Sequence, residues 1–326
     1  MPLATLTTVK KRSVVYVKDP IMGLVRVINT ATDEVSIVQL VDVRDEASGV
    51  FPSLTGLAAG PDGKRVYVAM GDLFVLDTAG NTVVTRVPMD GLMADPINVA
   101  VAPDGSHVYV IGRGNIIVLD TATNKIVATI PAGRGSAVSA DTVITPDGER
   151  AFLTGSPGLV SVVDLASKNL MTTIELTPQR LLQPTGITIA PDGKHIYVAS
   201  EEGVVSVLDA NAGLVESTIT VGDENDQQRG ITITPDGTRV YVARFGANAV
   251  SVLDTTTHKT VTTISVNTQG GPGDRPWGIA IAPDGARAYV TSLRGHVCVL
   301  DTVSVAQIGV IGGTFGDGIA IAQISL

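Results

Sequence analysis

The stretch RGITITPDGTRVYVARFGANAVSVLDTTTHKTVTTISV, residues 229–266, decides the fold. It contains four short runs rich in Val, Ile and Thr, separated by Pro-Asp-Gly, Gly-Ala-Asn and Asp-Thr-Thr-Thr. Runs of that composition between such punctuation read as β-strands, here termed A to D, joined by turns. Proline presets the first central position of the A–B turn, and glycine takes the left-handed position that follows. The aspartate closing strand C bonds the backbone ahead of it as the chain leaves the sheet. The strands are apolar on both faces, as expected of sheets sandwiched between other sheets.

The unit repeats. Pro-Asp-Gly begins at Pro61, Pro103, Pro146, Pro191, Pro235 and Pro283, at intervals of 42 to 48 residues. Six residues after each Pro stands an aromatic: Tyr67, Tyr109, Phe152, Tyr197, Tyr241 and Tyr289. A four-stranded repeat of this length indicates a β-propeller. The ends supply one more unit. SVVYVK and LVRVINTAT give strands B and C, with Tyr16 in the aromatic slot, and GDGIAIAQISL at the C-terminus gives the missing strand A. The expected fold is therefore all-β: seven four-stranded antiparallel blades, closed by the C-terminal strand joining the N-terminal blade. Closure removes the free edges of an open array. Residues 1–326 read as a single domain.

The phrases PDGTRVYVARFGANAVSVLDTTTHKTVTTISV and RPWGIAIAPDGARAYVTS resemble the YVTN family of seven-bladed β-propeller repeats over nearly the whole chain. The resemblance implies the fold and little about activity. The Asn of the name motif is replaced by Asp19, Met70, Gly112, Gly155, Ser200, Arg244 and Ser292. No catalytic residue of the family carries over, and fold alone does not give function.

Comparing the repeats with one another locates what is individual to this chain. The face bearing the A–B and C–D turns is monotonous, whereas the D–A loops on the other face differ in every blade. The one tryptophan, Trp277, occupies the slot just before strand A, where the other blades carry Thr55, Ile97, Ala140, Thr185, Arg229 and Asp317. That slot faces the mouth of the central channel. Phe51, Phe245 and Phe315 lie in loops of the same face, along one arc with Trp277, and Met22, Met70, Met89 and Met93 extend it as adaptable apolar surface. Arg229, Arg244, Arg275 and Arg294 are placed to grip a carboxylate or stack on a flat ring. Asn98 and Asp141 replace the glycine that opens strand A in the other blades, adding polar groups to the mouth. Asp317 and Asp141 are the candidate acid–base residues, on position alone.

Two readings follow. In one, the mouth binds an anionic or aromatic small molecule, with hydrolase, lyase or isomerase chemistry there. In the other, the same rim is a protein-interaction surface and the chain is not an enzyme. A third possibility needs no ligand: the aromatics plug the channel, and the arginines pair with Asp317, Asp274 and Glu224.

Composition narrows the field. Asp and Glu number 32 against 23 Lys and Arg, and the densest basic stretch is KKR at 10–12, so nucleic acid is not an expected partner. Mean hydropathy is +0.31, yet no run of 18 apolar residues exists and no membrane partner is expected. The N-terminal sequence lacks a secretory h-region and Cys298 is the sole cysteine, which points to the cytoplasm. Cys298 reads as a packed side chain. GDENDQQRG, with Asp223, Glu224 and Asp226, reads as a solvated acidic loop rather than a Ca²⁺ site. His107, His195, His258 and His296 lack metal-ligand spacing, and no cofactor fingerprint is evident.

Overall fold

The computed structural model describes residues 11–19, 23–40, 56–89, 96–112, 114–131, 141–155, 157–177, 182–223, 226–266, 273–312 and 318–325. These residues form seven four-stranded antiparallel sheets and no helix. The innermost strands A are Gly318–Ser325, Gly56–Ala59, Pro96–Val101, Thr142–Ile144, Pro184–Ile189, Gln228–Ile233 and Pro276–Ile281, for blades 1 to 7 in order. Closure follows the expected route: Gly318–Ser325 pairs antiparallel with Lys11–Asp19, Lys18 facing Gly318 at one end and Lys11 facing Ser325 at the other.

The Pro-Asp-Gly turns behave as their chemistry dictates. Their glycines have φ between 70° and 76°, and each turn is closed by the glycine N–H, as from Gly237 to the Thr234 carbonyl at 2.8 Å. Five of the six glycines sit against the proline of the preceding turn, as Gly193 on Pro146 and Gly237 on Pro191, and Gly63 sits against the backbone of Gln323 in the closing strand. The slot aromatics are buried between blades. Tyr16 packs with Val25 and Val27 of its own blade and with Val68, Phe74 and Leu76 of the next, and its hydroxyl donates to Asn81 Oδ1 at 2.9 Å. Cys298 packs in the corresponding core of blades 6 and 7, where burial and then the nearby Asp274 push its thiol up to about 12.

Three positions depart from the sequence reading: Met70, Met89 and Asp226. Met70 and Met89 are core residues at 2% and 1% exposure, not a rim. Their strand-B and post-strand-D slots lie inside the sheet stack, so an adaptable side chain there fills volume. Met22 and Met93 lie outside the described residues. Asp226 is buried rather than solvated.

The Asp closing strand C in blades 2 to 7 caps its own turn. Hydrogen bonds donated three residues on, by Gly80, Thr123, Ser167, Ala212, Thr257 and Ser304, hold Asp77, Asp120, Asp164, Asp209, Asp254 and Asp301 below the ordinary carboxylate range. A folded-state pKa below the unfolded one contributes stability at neutral pH. That contribution is lost as pH falls below about 4 toward the folded values. Blade 1 carries the neutral Asn29 in this slot and still accepts the Ala31 N–H at 3.1 Å. Asp254→Asn should therefore keep its turn while flattening the acid limb. Thermal denaturation between about pH 6 and pH 2 reads the slope, and an unchanged slope would exclude Asp254 as a contributor.

Candidate functional site

Strand A sets the site. In blades 3, 5, 6 and 7 its pairing with strand B is interrupted by one extra residue, between Pro96 and Asn98, Pro184 and Gly186, Gln228 and Ile231, and Pro276 and Ile279. A bulge breaks the in–out alternation and re-aims a side chain. Here it turns Ile97, Thr185, Arg229 and Trp277 to the channel, where all four line one cavity of about 290 Å³. Asn98 and Asp141 line it as well, with Leu57, Ile231, Ile279 and Ile319 as apolar wall.

The two departures from glycine act together. Between blades 6 and 7 the strands A approach so closely that a Cβ on Gly230 would meet the Trp277 carbonyl oxygen at 2.6 Å. Between blades 3 and 4 a polar pair stands at those positions instead. Asn98 Nδ2 donates to Asp141 Oδ1 at 2.8 Å, and Asn98 Oδ1 accepts the Val99 N–H at 2.7 Å. The Asp141 carboxylate also accepts the Thr142 N–H at 2.9 Å and, from the next blade, the Ile187 N–H at 3.0 Å. Asp141 thus bridges three blades. Burial raises its pKa, opposed by the Ile187 and Thr142 amides, by Asn98 and by the charge of Lys18.

The aromatic and arginine residues of blades 6 and 7 assemble into a ladder running outward from the cavity. The Arg229 guanidinium carbon stands 4.7 Å from the Trp277 ring centre and 5.6 Å from that of Phe245, while Arg275 stands 5.3 Å from Phe245 on the exposed side. Phe245 and Trp277 meet edge to face with centres 5.6 Å apart. Arg229 Nη1 donates to Glu201 Oε1 at 2.5 Å and its Nη2 to Gln227 Oε1 at 3.2 Å. This half-buried arrangement combines cation–π contact with an ion pair and holds Trp277 at the cavity wall.

The structure therefore brings together Asn98, Asp141, Arg229 and Trp277, with Phe245 and Arg275 behind them. It does not bring in Arg244, whose guanidinium pairs with Asp226 and approaches Ser251 Oγ at 3.4 Å. Nor does it bring in Arg294, which donates from Nε to the Gly273 carbonyl at 2.8 Å and stays exposed. Among the described residues Arg229 pairs with Glu201 and Arg244 with Asp226, while Asp317 and Glu224, two of the expected partners, lie outside the described residues. Phe51, Phe315 and Asp317 lie outside the described residues. Among the described residues no group of three or more His, Cys, Asp or Glu is placed to hold a metal ion.

Reading the loops misses Lys18, which also lines the cavity. The signal lies in strand B, two positions after the slot aromatic. The other blades have Ala69, Ile111, Thr154, Ala199, Ala243 and Thr291 there, none charged.

A family model described as "Lactonase, 7-bladed beta-propeller" matches residues 152–293, less than half of the chain. The shared feature is the seven-bladed ring. Among solved structures, Kuenenia stuttgartiensis Hydrazine Synthase is similar with a TM-score of 0.71 and 19% identity, over 85% of this chain and 96% of that one. At that identity the likeness is one of fold. No curated protein matches.

Proposed function

We propose that this chain is a small-molecule-binding propeller whose ligand, anionic or aromatic, enters the channel mouth on the variable loop face. The observation that carries the reading is convergence. Asn98, Asp141, Arg229 and Trp277, the main departures from the repeat among the described strands A, all line one cavity. Apolar wall with a few fixed polar groups is what binding and orienting a small molecule requires. The repeats are read as YVTN-type, with the name-motif Asn replaced in every blade.

The likeness of residues 152–293 to lactonase propellers favours a lactone, or the hydroxycarboxylate made by opening one, among anionic ligands. It also makes hydrolysis the reaction class to assay first. A non-catalytic docking surface is the second reading, favoured by the exposed outer end of the ladder at Arg275. The two differ in what occupies the cavity.

Trp277 is the only tryptophan and lines that cavity, so its fluorescence reports occupancy directly. Native mass spectrometry of the purified protein should reveal a retained small molecule, and adding it to stripped protein should shift Trp277 emission saturably. Retention of a protein alone, with Trp277 silent to every small molecule tested, would favour docking.

A further inference from the structure

The face bearing the A–B and C–D turns holds a second cavity, of about 710 Å³, between blades 5 and 6. Two residues before the slot aromatic, blades 2, 4, 6 and 7 carry Arg65, Arg150, Arg239 and Arg287. Three of these guanidinium groups cross to the C–D turn of the next blade and donate to a carbonyl there. Arg150 Nη1 reaches Ala210 at 2.6 Å, Arg239 Nη1 Thr302 at 3.2 Å and Arg287 Nη1 Thr30 at 3.4 Å. Blade 3 has His107 in the arginine slot, and the C–D turn of blade 4 supplies Lys168. Blade 5 has His195, and the same turn position of blade 6 supplies His258. Of the six junctions that follow a Pro-Asp-Gly turn, this one alone has no Lys or Arg at either position.

The surroundings differ accordingly. His195 directs Nε2 to Glu216 Oε2, 3.4 Å away on the outer strand of its own blade, rather than to the Thr255 carbonyl that matches Thr302. The His258 ring meets Tyr197 and His195 edge-on, with centres 6.5 Å and 6.4 Å away. Tyr197 lines the cavity and is only 1% exposed. The Tyr16 and Tyr241 hydroxyls donate to the next blade, at Asn81 and Thr302, but that of Tyr197 makes no hydrogen bond among the described residues. Burial, then the charges of Asp192, Glu216 and Asp254, push Tyr197 up to about 12. Burial raises Tyr241 and Tyr289 too, but there Arg239 and Arg287 oppose it. Asp192 and Asp236 line the cavity and no Lys or Arg does, whereas Arg239 lines its counterpart between blades 6 and 7.

We propose that the cavity between blades 5 and 6 binds a small alkylguanidinium cation in the place that the repeat gives to arginine, its N–H groups directed to the Tyr197 hydroxyl, the Thr255 carbonyl and the Asp192 carboxylate. A planar fork of donors suits a hydroxyl, a carbonyl and a carboxylate that converge. Asp192 accepts the Lys194 N–H on Oδ1 at 2.9 Å and offers Oδ2 to the ligand. The site is on the opposite face from the channel mouth and does not depend on the reading of that mouth.

The test titrates the protein with methylguanidinium at millimolar concentrations and follows the imidazole proton resonances of His258. Methylurea serves as the uncharged counterpart and tetramethylammonium as a cation without N–H donors. Methylguanidinium should shift His258 saturably, at least tenfold more tightly than either, and leave Trp277 emission unchanged. His195→Arg fills the site from within the chain and should abolish the response. Four blades already carry arginine there, so the variant should fold, as circular dichroism will show. Asp192→Asn keeps the turn cap and should weaken methylguanidinium about tenfold. A wild-type His258 that does not respond, or equal binding of methylurea or tetramethylammonium, overturns the proposal. So does wild-type affinity in folded His195→Arg or in Asp192→Asn. A response at Trp277 with His258 silent would place the cation in the channel and overturn it as well.

Discussion

Gly230→Ala is expected to cost about 3 kcal/mol of stability, more than an added methyl usually does. The new Cβ would stand 2.6 Å from the Trp277 carbonyl oxygen, 3.0 Å from the Ile279 nitrogen and 3.1 Å from the Gly278 Cα. All three are backbone atoms of the neighbouring blade, so no rotamer change relieves the contact. Because the ring is closed, blades 6 and 7 can separate only by straining the other junctions. Gly309→Ala is the control: its Cβ would make ordinary contacts, 3.8 Å and 3.9 Å from Val299, on an outer strand. Urea denaturation should place Gly309→Ala within about 0.5 kcal/mol of wild type and Gly230→Ala far below it. Similar midpoints for both would mean that the channel is not held by backbone contact between strands A.

Asp226→Ala should be comparably damaging, because it strands the Arg244 guanidinium. The two side chains are only 11% and 16% exposed. Removing one member of a largely buried ion pair leaves a charge without its counter-charge, at a cost of about 3 kcal/mol. Asp226 also accepts the Asp223 N–H at 3.1 Å, so its loss loosens the D–A connection entering blade 6. Replacing both residues, Arg244→Met with Asp226→Leu, removes the stranded charge and should recover most of the loss. The same variants assign Arg244. Arg244→Met should lose stability yet, where still folded, give the wild-type Trp277 titration. A stable Arg244→Met protein with abolished binding would return Arg244 to the ligand site.

The difference between Arg229 and Arg244 shows how far a repeat can be read. Arg229 stands in a slot whose direction the repeat specifies, and it was placed at the channel mouth from sequence alone. Arg244 also departs from its repeat, but at the end of strand B, where a side chain can turn to the channel or back to its own loop. Asp226, seventeen residues upstream of Ala243 and next to Arg244 in space, decided the matter. Met70 and Met89 differ from the expectation for a related reason: belonging to a face of the disc does not make a residue exposed on it. Lys18 is not legible in the loops because it is a strand-B side chain that reaches the cavity wall over the bare Cα of Gly318.

By itself the sequence determined the number of blades, the turn at every Pro-Asp-Gly, the burial of the slot aromatics and the strand that closes the ring. Those follow from local chemistry repeated around the ring: the proline and glycine dihedrals of six turns, strands apolar on both faces, and a C-terminal strand with one vacancy to fill. Tertiary structure alone decided which charges face one another. The Asn98–Asp141 bridge, the contact of Arg229 with both Phe245 and Trp277, and the passage of Lys18 over Gly318 each join different strands or blades. Such pairings depend on distances of a few ångströms across the ring, which no single repeat encodes.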